Sequence, residues 1–191
     1  MTDRVAFRIP GVRGGNAYML CGEHDPARAT TADSGVGWWL VDTGMRGNAA
    51  RIVQYASERG ISPAGLRGIL LTHRHMDHAG SALALASGTD AGGAAGAAVR
   101  IYAHAAELSR LATGRVGPVQ GYMAVTFRLL DPLTRIDPIP TVEPLQDGQE
   151  LDLCGWHVQV LHIPGHTAGS VAYWLPEEKL LISGDALISR G

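Results

Sequence analysis

The alternation of apolar and polar positions predicts short strands separated by glycine turns at the start of the chain. VAFRI (5–9), NAYMLCG (16–22) and VGWWLVDTG (36–44) are the first three, and EHDPARATTADSG (23–35) reads as a polar hairpin loop. Asn48 to Arg59 carries Ile52, Val53, Tyr55 and Ala56 near helical spacing, with Gly60 placed to end the helix. LRGILLT (66–72) is the compact apolar run expected of a buried strand, and SALALA (81–86) follows with good helix formers. VRIYAH (99–104) predicts another strand, and AAELSRLA (105–112) a short helix.

GTDAGGAAGAA (88–98) is a low-complexity connector, and residues 113–149, rich in Gly and Pro, read as a long irregular stretch. Loops of that length commonly carry function, and within it Tyr122 and Met123 are candidates for lining a pocket. Strands return at QELDL (149–153), WHVQVLHI (156–163), SVAYWL (170–175) and KLLISGDAL (179–187). Trp38, Trp39, Trp156 and Trp174 fall within these runs and read as packing residues. Many short strands with helices between them predict a single α/β (α+β) domain over 1–191, with two layers of sheet and helices outside.

Composition narrows the function. Sixteen Lys+Arg against 18 Asp+Glu, with no basic run, speak against a nucleic-acid partner. No apolar run approaches the roughly 20 residues that span a bilayer, so no membrane partner is expected. The N-terminus lacks the apolar core of a signal peptide. Cys21 and Cys154 are isolated thiols that fit a reducing compartment, and a cytoplasmic protein is the expectation. A small-molecule substrate fits this profile, and a homodimer is left open.

The chemistry concentrates in LLTHRHMDHAGS (70–81), which holds three of the chain's 8 histidines and an aspartate between His73 and His78. Zinc is held by imidazole, carboxylate or thiolate, and catalytic sites keep one position open. On extended backbone, His73 and His75 converge on one ion, whereas Asp77 and His78, at a helix entrance, point to a second. Neither set is complete within one loop. His166, in IPGHTAGS (163–170), and Asp185, in LLISGDAL (180–187), also follow apolar strands directly and are candidates to complete the sites. His24, His104, His157 and His162 lack such a context and read as structural or exposed.

The HxHxDH run, the PGHT turn and the GD turn, in that order, resemble the metallo-β-lactamase fold superfamily from about residue 5 onward. The resemblance implies a four-layer αββα sandwich, with His73, His75 and His166 on one metal, Asp77 and His78 on a second, and Asp185 bridging both. Asp42, in VDTG (41–44), resembles the family's early aspartate and is assigned to orienting a ligand histidine. No Cys or His lies between His166 and Asp185, a pattern closer to glyoxalase II-like and lactonase-like members than to β-lactamases with a cysteine ligand. The implied enzyme is a hydrolase holding two Zn2+, or else Fe or Mn, in which a metal-bound hydroxide attacks a thioester, lactone or other ester. Asp77 orients that hydroxide. The alternatives are a persulfide dioxygenase-like enzyme with one iron and a non-catalytic metal-binding homologue. The family's last histidine has no counterpart after His166, and the chain ends at Gly191, so the expectation is a C-terminally incomplete member without its closing segment.

Overall fold

A computed structural model gives the fold and describes residues 4–24, 36–88, 99–115 and 135–187. Of the hairpin loop expected over 23–35, residues 25–35 lie outside the described residues while 23 and 24 end β2; residues 89–98 of the expected connector, and Tyr122 and Met123, also lie outside them. Six strands form one sheet in chain order: β1 (Val5–Arg8), β2 (Tyr18–His24), β3 (Val36–Val41), β4 (Leu66–Leu70), β5 (Arg100–His104) and β6 (Glu143–Leu145). The β1–β2 and β2–β3 pairs are antiparallel, and β3 to β6 run parallel. A second, antiparallel sheet holds β7 (Glu150–Leu153), β8 (Trp156–His162), β9 (Val171–Leu175) and β10 (Leu180–Ile182).

Among the described residues four α-helices, α1 (Ala49–Ser57), α2 (Met76–Ala79), α3 (Ala82–Ser87) and α4 (Leu108–Thr113), connect these strands. Each sends apolar side chains, among them Ile52, Ala79, Leu85 and Leu111, into a core shared with the first sheet. The other face of that sheet packs on the second sheet through Leu20, Val41 and Leu70 against Val158, Val160 and Tyr173. β4 therefore lies between the two cores. Its Ile69 joins the helix-side core and its Leu70 the inter-sheet core, which is why the end of the strand is apolar on both faces. β8 has one solvated face and alternates, burying Trp156, Val158 and Val160.

The result is a mixed α/β fold with helices, sheet and sheet in succession. Among the described residues no helix covers the outer face of the second sheet, so the fourth expected layer is not formed by them. β6 falls inside the stretch that reads as irregular. It is three residues long and contains Pro144, which an edge strand tolerates because the missing N–H faces away from the ladder. The last strand is shorter than its apolar run, ending at Ile182, with a 3-10 turn at Gly184–Ala186. Among the described residues no helix is long and apolar enough to cross a membrane. Both cysteines are free, and burial pushes the Cys21 thiol up to about 11, which leaves it unreactive.

Candidate metal centre

The parallel pairing of β3 and β4 brings their C-terminal ends to one edge of the sheet, where Asp42 and His73 follow. The second sheet is pinned to the same place. Val171 N–H donates to Thr72 O at 2.9 Å, and the buried Tyr173 hydroxyl donates to Leu71 O at 2.8 Å. The turns after β8 and β10 consequently deliver His166 and Asp185 to the end of β4. His75, at the N-cap position of α2, is extended at φ −64 and ψ 153, while Asp77 and His78 sit in the helix's first turn.

Two groups of donors form there, each with its ligand atoms within 4.8 Å of one another: His73, His75 and His166, and His73, His78 and Asp185. His75 Nδ1 and His166 Nε2 approach to 2.8 Å. Asp185 faces both groups, with Oδ1 3.0 Å from His78 Nε2 and Oδ2 3.4 Å from His166 Nε2. His73 thus belongs to both groups, whereas its expected place was with the first alone. Asp77 belongs to neither. Its Oδ2 stands 3.8 Å from His78 Nε2, and the side chain is 42% exposed at the mouth of the cluster.

Asp42 is buried and anchors one side. Its Oδ1 accepts from Thr72 N–H at 2.8 Å, and its Oδ2 accepts from the Thr72 hydroxyl at 2.7 Å and lies 2.7 Å from His78 Nδ1. The backbone of Asp42 is left-handed, at φ 57, a conformation aspartate enters more readily than most residues. With Nδ1 of His78 engaged, its Nε2 faces Asp185. That nitrogen and His73 Nε2 are both buried, and neither has a hydrogen-bond partner despite the closeness of Asp185 to His78. Buried polar atoms are almost always paired, so two orphaned imidazole nitrogens aimed into one cluster fit a cation.

The electrostatics differ across the cluster. Burial, reinforced by His78, His75 and His166, holds His73 far below the ordinary imidazole range. Burial, followed by the nearby charges of His166 and Arg74, takes His75 down to about 4. Burial would also lower His78, but the hydrogen bond to Asp42 and the carboxylates of Asp42, Asp77 and Asp185 outweigh it and raise it to about 9.

Two contributors carry no sequence signal. Glu107 is fully buried and bonded to Arg74, Thr167 and the Gly169 N–H. Gly15 lies so close to His78 that a Cβ there would stand 2.6 Å from its ring, so only glycine lets the β1–β2 loop close over this side. A cleft of ≈ 290 Å³ opens beside His78 and Asp185, lined also by Gly15, Asn16, Tyr18 and Ser183. His104 and His162 stack with ring centroids 3.9 Å apart and belong to neither donor group.

The fold and the cluster together define an α/β protein with a histidine–aspartate centre able to bind metal ions. The chain belongs to the metallo-beta-lactamase superfamily, whose family model matches residues 11–191. It is 31% identical over 185 residues to a hydroxyacylglutathione hydrolase of Synechococcus sp. (strain JA-3-3Ab), covering 97% of this chain and 54% of the relative. It is also 31% identical over 155 residues to the probable metallo-hydrolase YqgX of Bacillus subtilis (strain 168), covering 80% of this chain and 62% of the relative. A metallo-beta-lactamase of Cronobacter sakazakii with a HARLDQ motif superposes with a TM-score of 0.64 at 23% identity, over 88% of this chain and 55% of that one. A likeness at that identity shows the fold alone. The chain spans little more than half the length of the relatives it matches.

Proposed function

We propose that the chain carries the metal centre of a hydrolase that cleaves thioesters or related carboxylic esters of small molecules, zinc being the metal to test first. The observation that carries this reading is the pair of buried, unpartnered nitrogens, His73 Nε2 and His78 Nε2, pointing into a cluster completed by His75, His166 and Asp185. The thioester preference draws on relatives named hydroxyacylglutathione hydrolase and on the absence of Cys or His between His166 and Asp185. The two free thiols suit the cytoplasm, a reducing compartment.

His73, His75 and His166 would hold one cation, and His78 and Asp185 would contribute to holding a second beside it. Bound there, divalent cations supply Lewis acidity, polarising a substrate oxygen and lowering the pKa of water from 15.7 to about 7. Asp77, half-exposed at the mouth, orients the attacking water through Oδ2 and passes its proton to the leaving group. Asp42 keeps His78 turned so that its Nε2 would be free to hold a cation. The cleft bounded by Asn16, Tyr18 and Ser183 receives the substrate.

The test is metal content together with hydrolysis of a thioester, a lactone and a β-lactam. Two zinc per chain and thioester or lactone cleavage abolished by a chelator are expected; a single iron favours the oxidative alternative. His73→Ala removes a buried donor and should lower metal affinity by more than the roughly 100-fold that loss of a supporting residue costs. Asp77→Ala should retain metal and lose turnover. Unchanged metal content in His73→Ala and unchanged hydrolysis in both variants would refute the reading.

A further inference from the structure

We propose that Glu107 is a positioning residue for the His73–His75–His166 group, its carboxylate tying the loop that carries His73 and His75 to the turn that carries His166. The inference rests on the metal reading above and adds to it the device that sets the group's geometry. Glu107 ends a 3-10 turn (Ala105–Glu107) between β5 and α4 and is fully buried. Its Oε1 accepts from Arg74 Nη1 at 3.0 Å, from the Thr167 hydroxyl at 2.8 Å and from Gly169 N–H at 2.6 Å. Its Oε2 accepts from Arg74 Nη1 at 2.7 Å. Arg74 stands between His73 and His75, and Thr167 directly follows His166.

The two segments come from different sheets, one after β4 and the other between β8 and β9. Neither segment alone fixes the distance between His75 and His166, whose nitrogens are 2.8 Å apart. A donor group tolerates displacements of only about 0.5 Å before its geometry is lost. One buried carboxylate bonded to both segments adds that restraint nearer the histidines than the Val171–Thr72 backbone bond does. The turn is shaped for it: a Cβ on Gly169 would lie 2.7 Å from Glu107 Oε1, so only glycine admits the carboxylate. Ser170 closes the turn from within, its Oγ accepting from Thr167 N–H at 3.0 Å.

A buried ion pair is weak evidence for a stabilising role. What separates the positioning role from plain stabilisation is where the bonds go, since they flank three ligand histidines and Glu107 bonds none of them. The discriminating readout is zinc affinity, measured on the folded chain by competition with a chelator. Glu107→Gln preserves shape but presents an amide N–H2 to one of its donors, and should weaken zinc binding roughly 10–100-fold. Val158→Ala, which thins the inter-sheet core away from the turn, should lower the melting temperature and leave zinc affinity unchanged. Thr167→Val removes one bond to Glu107 and should weaken zinc binding by a smaller factor; it carries the test if Glu107→Gln does not fold.

Wild-type affinity in Glu107→Gln, or in Thr167→Val where that variant carries the test, overturns the proposal. An equal loss in Val158→Ala overturns it too. A wild-type chain that takes up no zinc overturns the metal reading, and the role of Glu107 with it.

Discussion

On the His75–His166 side of the cluster the imidazoles are partly open to solvent and held by loops from two sheets. On the His78–Asp185 side a buried imidazole leans on Asp42, and its free nitrogen faces a carboxylate. The two sides share His73, yet they prepare for a cation differently. Burial keeps His73 and His75 neutral, so the first side meets a cation with free lone pairs. On the second side the hydrogen bond to Asp42 and the carboxylates of Asp42, Asp77 and Asp185 raise His78 to about 9, so a cation there competes with a proton. Rigidity comes from different sources as well. The first side depends on a link between distant segments, whereas the second is set by Asp42 and Thr72 at the ends of two paired strands.

If the sides are separate ion sites, cutting each in turn should remove one ion and spare the other. His166→Ala removes a donor from the first group only, and His78→Ala a donor from the second only. Each variant should keep roughly half of the wild-type metal, because the untouched group keeps all of its donors. Elemental analysis of the purified chains measures this. Complete loss in both variants would mean that the two groups hold metal only together.

A smaller effect should come from behind the second side. Asp42→Asn leaves every proposed ligand in place but presents an amide where His78 Nδ1 and the Thr72 hydroxyl met a carboxylate. Affinity for the second ion should fall about 10–100-fold while the first ion binds as before. Stability should fall by about 1–3 kcal/mol, the cost of leaving a buried polar group unsatisfied. Stepwise zinc titration and thermal melts separate the two effects.

The comparison also explains what could be read from the sequence. Most strands were legible because apolar runs punctuated by glycine mark them, although β6 was not and the last strand ends early; the crowded histidines between His73 and His78 mark a candidate metal site. His166 and Asp185 were legible as candidates because each follows an apolar strand in a short turn, and the fold brings both to the same cluster. The grouping was not legible. Successive helical residues point about 100° apart, so the start of α2 at Met76 sends His78 inward and leaves Asp77 at the mouth, a rotation that spacing alone does not reveal. Glu107 was hidden for a different reason. In AAELSRLA it looks like an ordinary helix charge, and its partners Arg74 and Thr167 lie 33 and 60 residues away. Gly15 meets His78 only through the folded β1–β2 loop, so its value also depends on contacts the local pattern does not record.

The finest distinction between the sides lies in the pH dependence of the metal-free protein. His75 titrates near 4 when folded, against an ordinary 6.5, so folding disfavours its proton. Its contribution to stability is present above 6.5 and is lost as the pH falls toward 4. His78 titrates near 9 when folded, so its contribution is fully present below 6.5 and is lost as the pH rises through 9. The two limbs slope in opposite directions and should give maximal stability near the ordinary imidazole value of about 6.5. Melting temperatures in the presence of a chelator, across about pH 5 to 9, trace both limbs. Asp42→Asn should flatten the alkaline limb and leave the acid limb intact, because the hydrogen bond that raises His78 is lost while the burial that lowers His75 remains. An alkaline limb unchanged in that variant would show that Asp42 does not hold the proton on His78, and the contrast between the two sides would then reduce to solvent exposure.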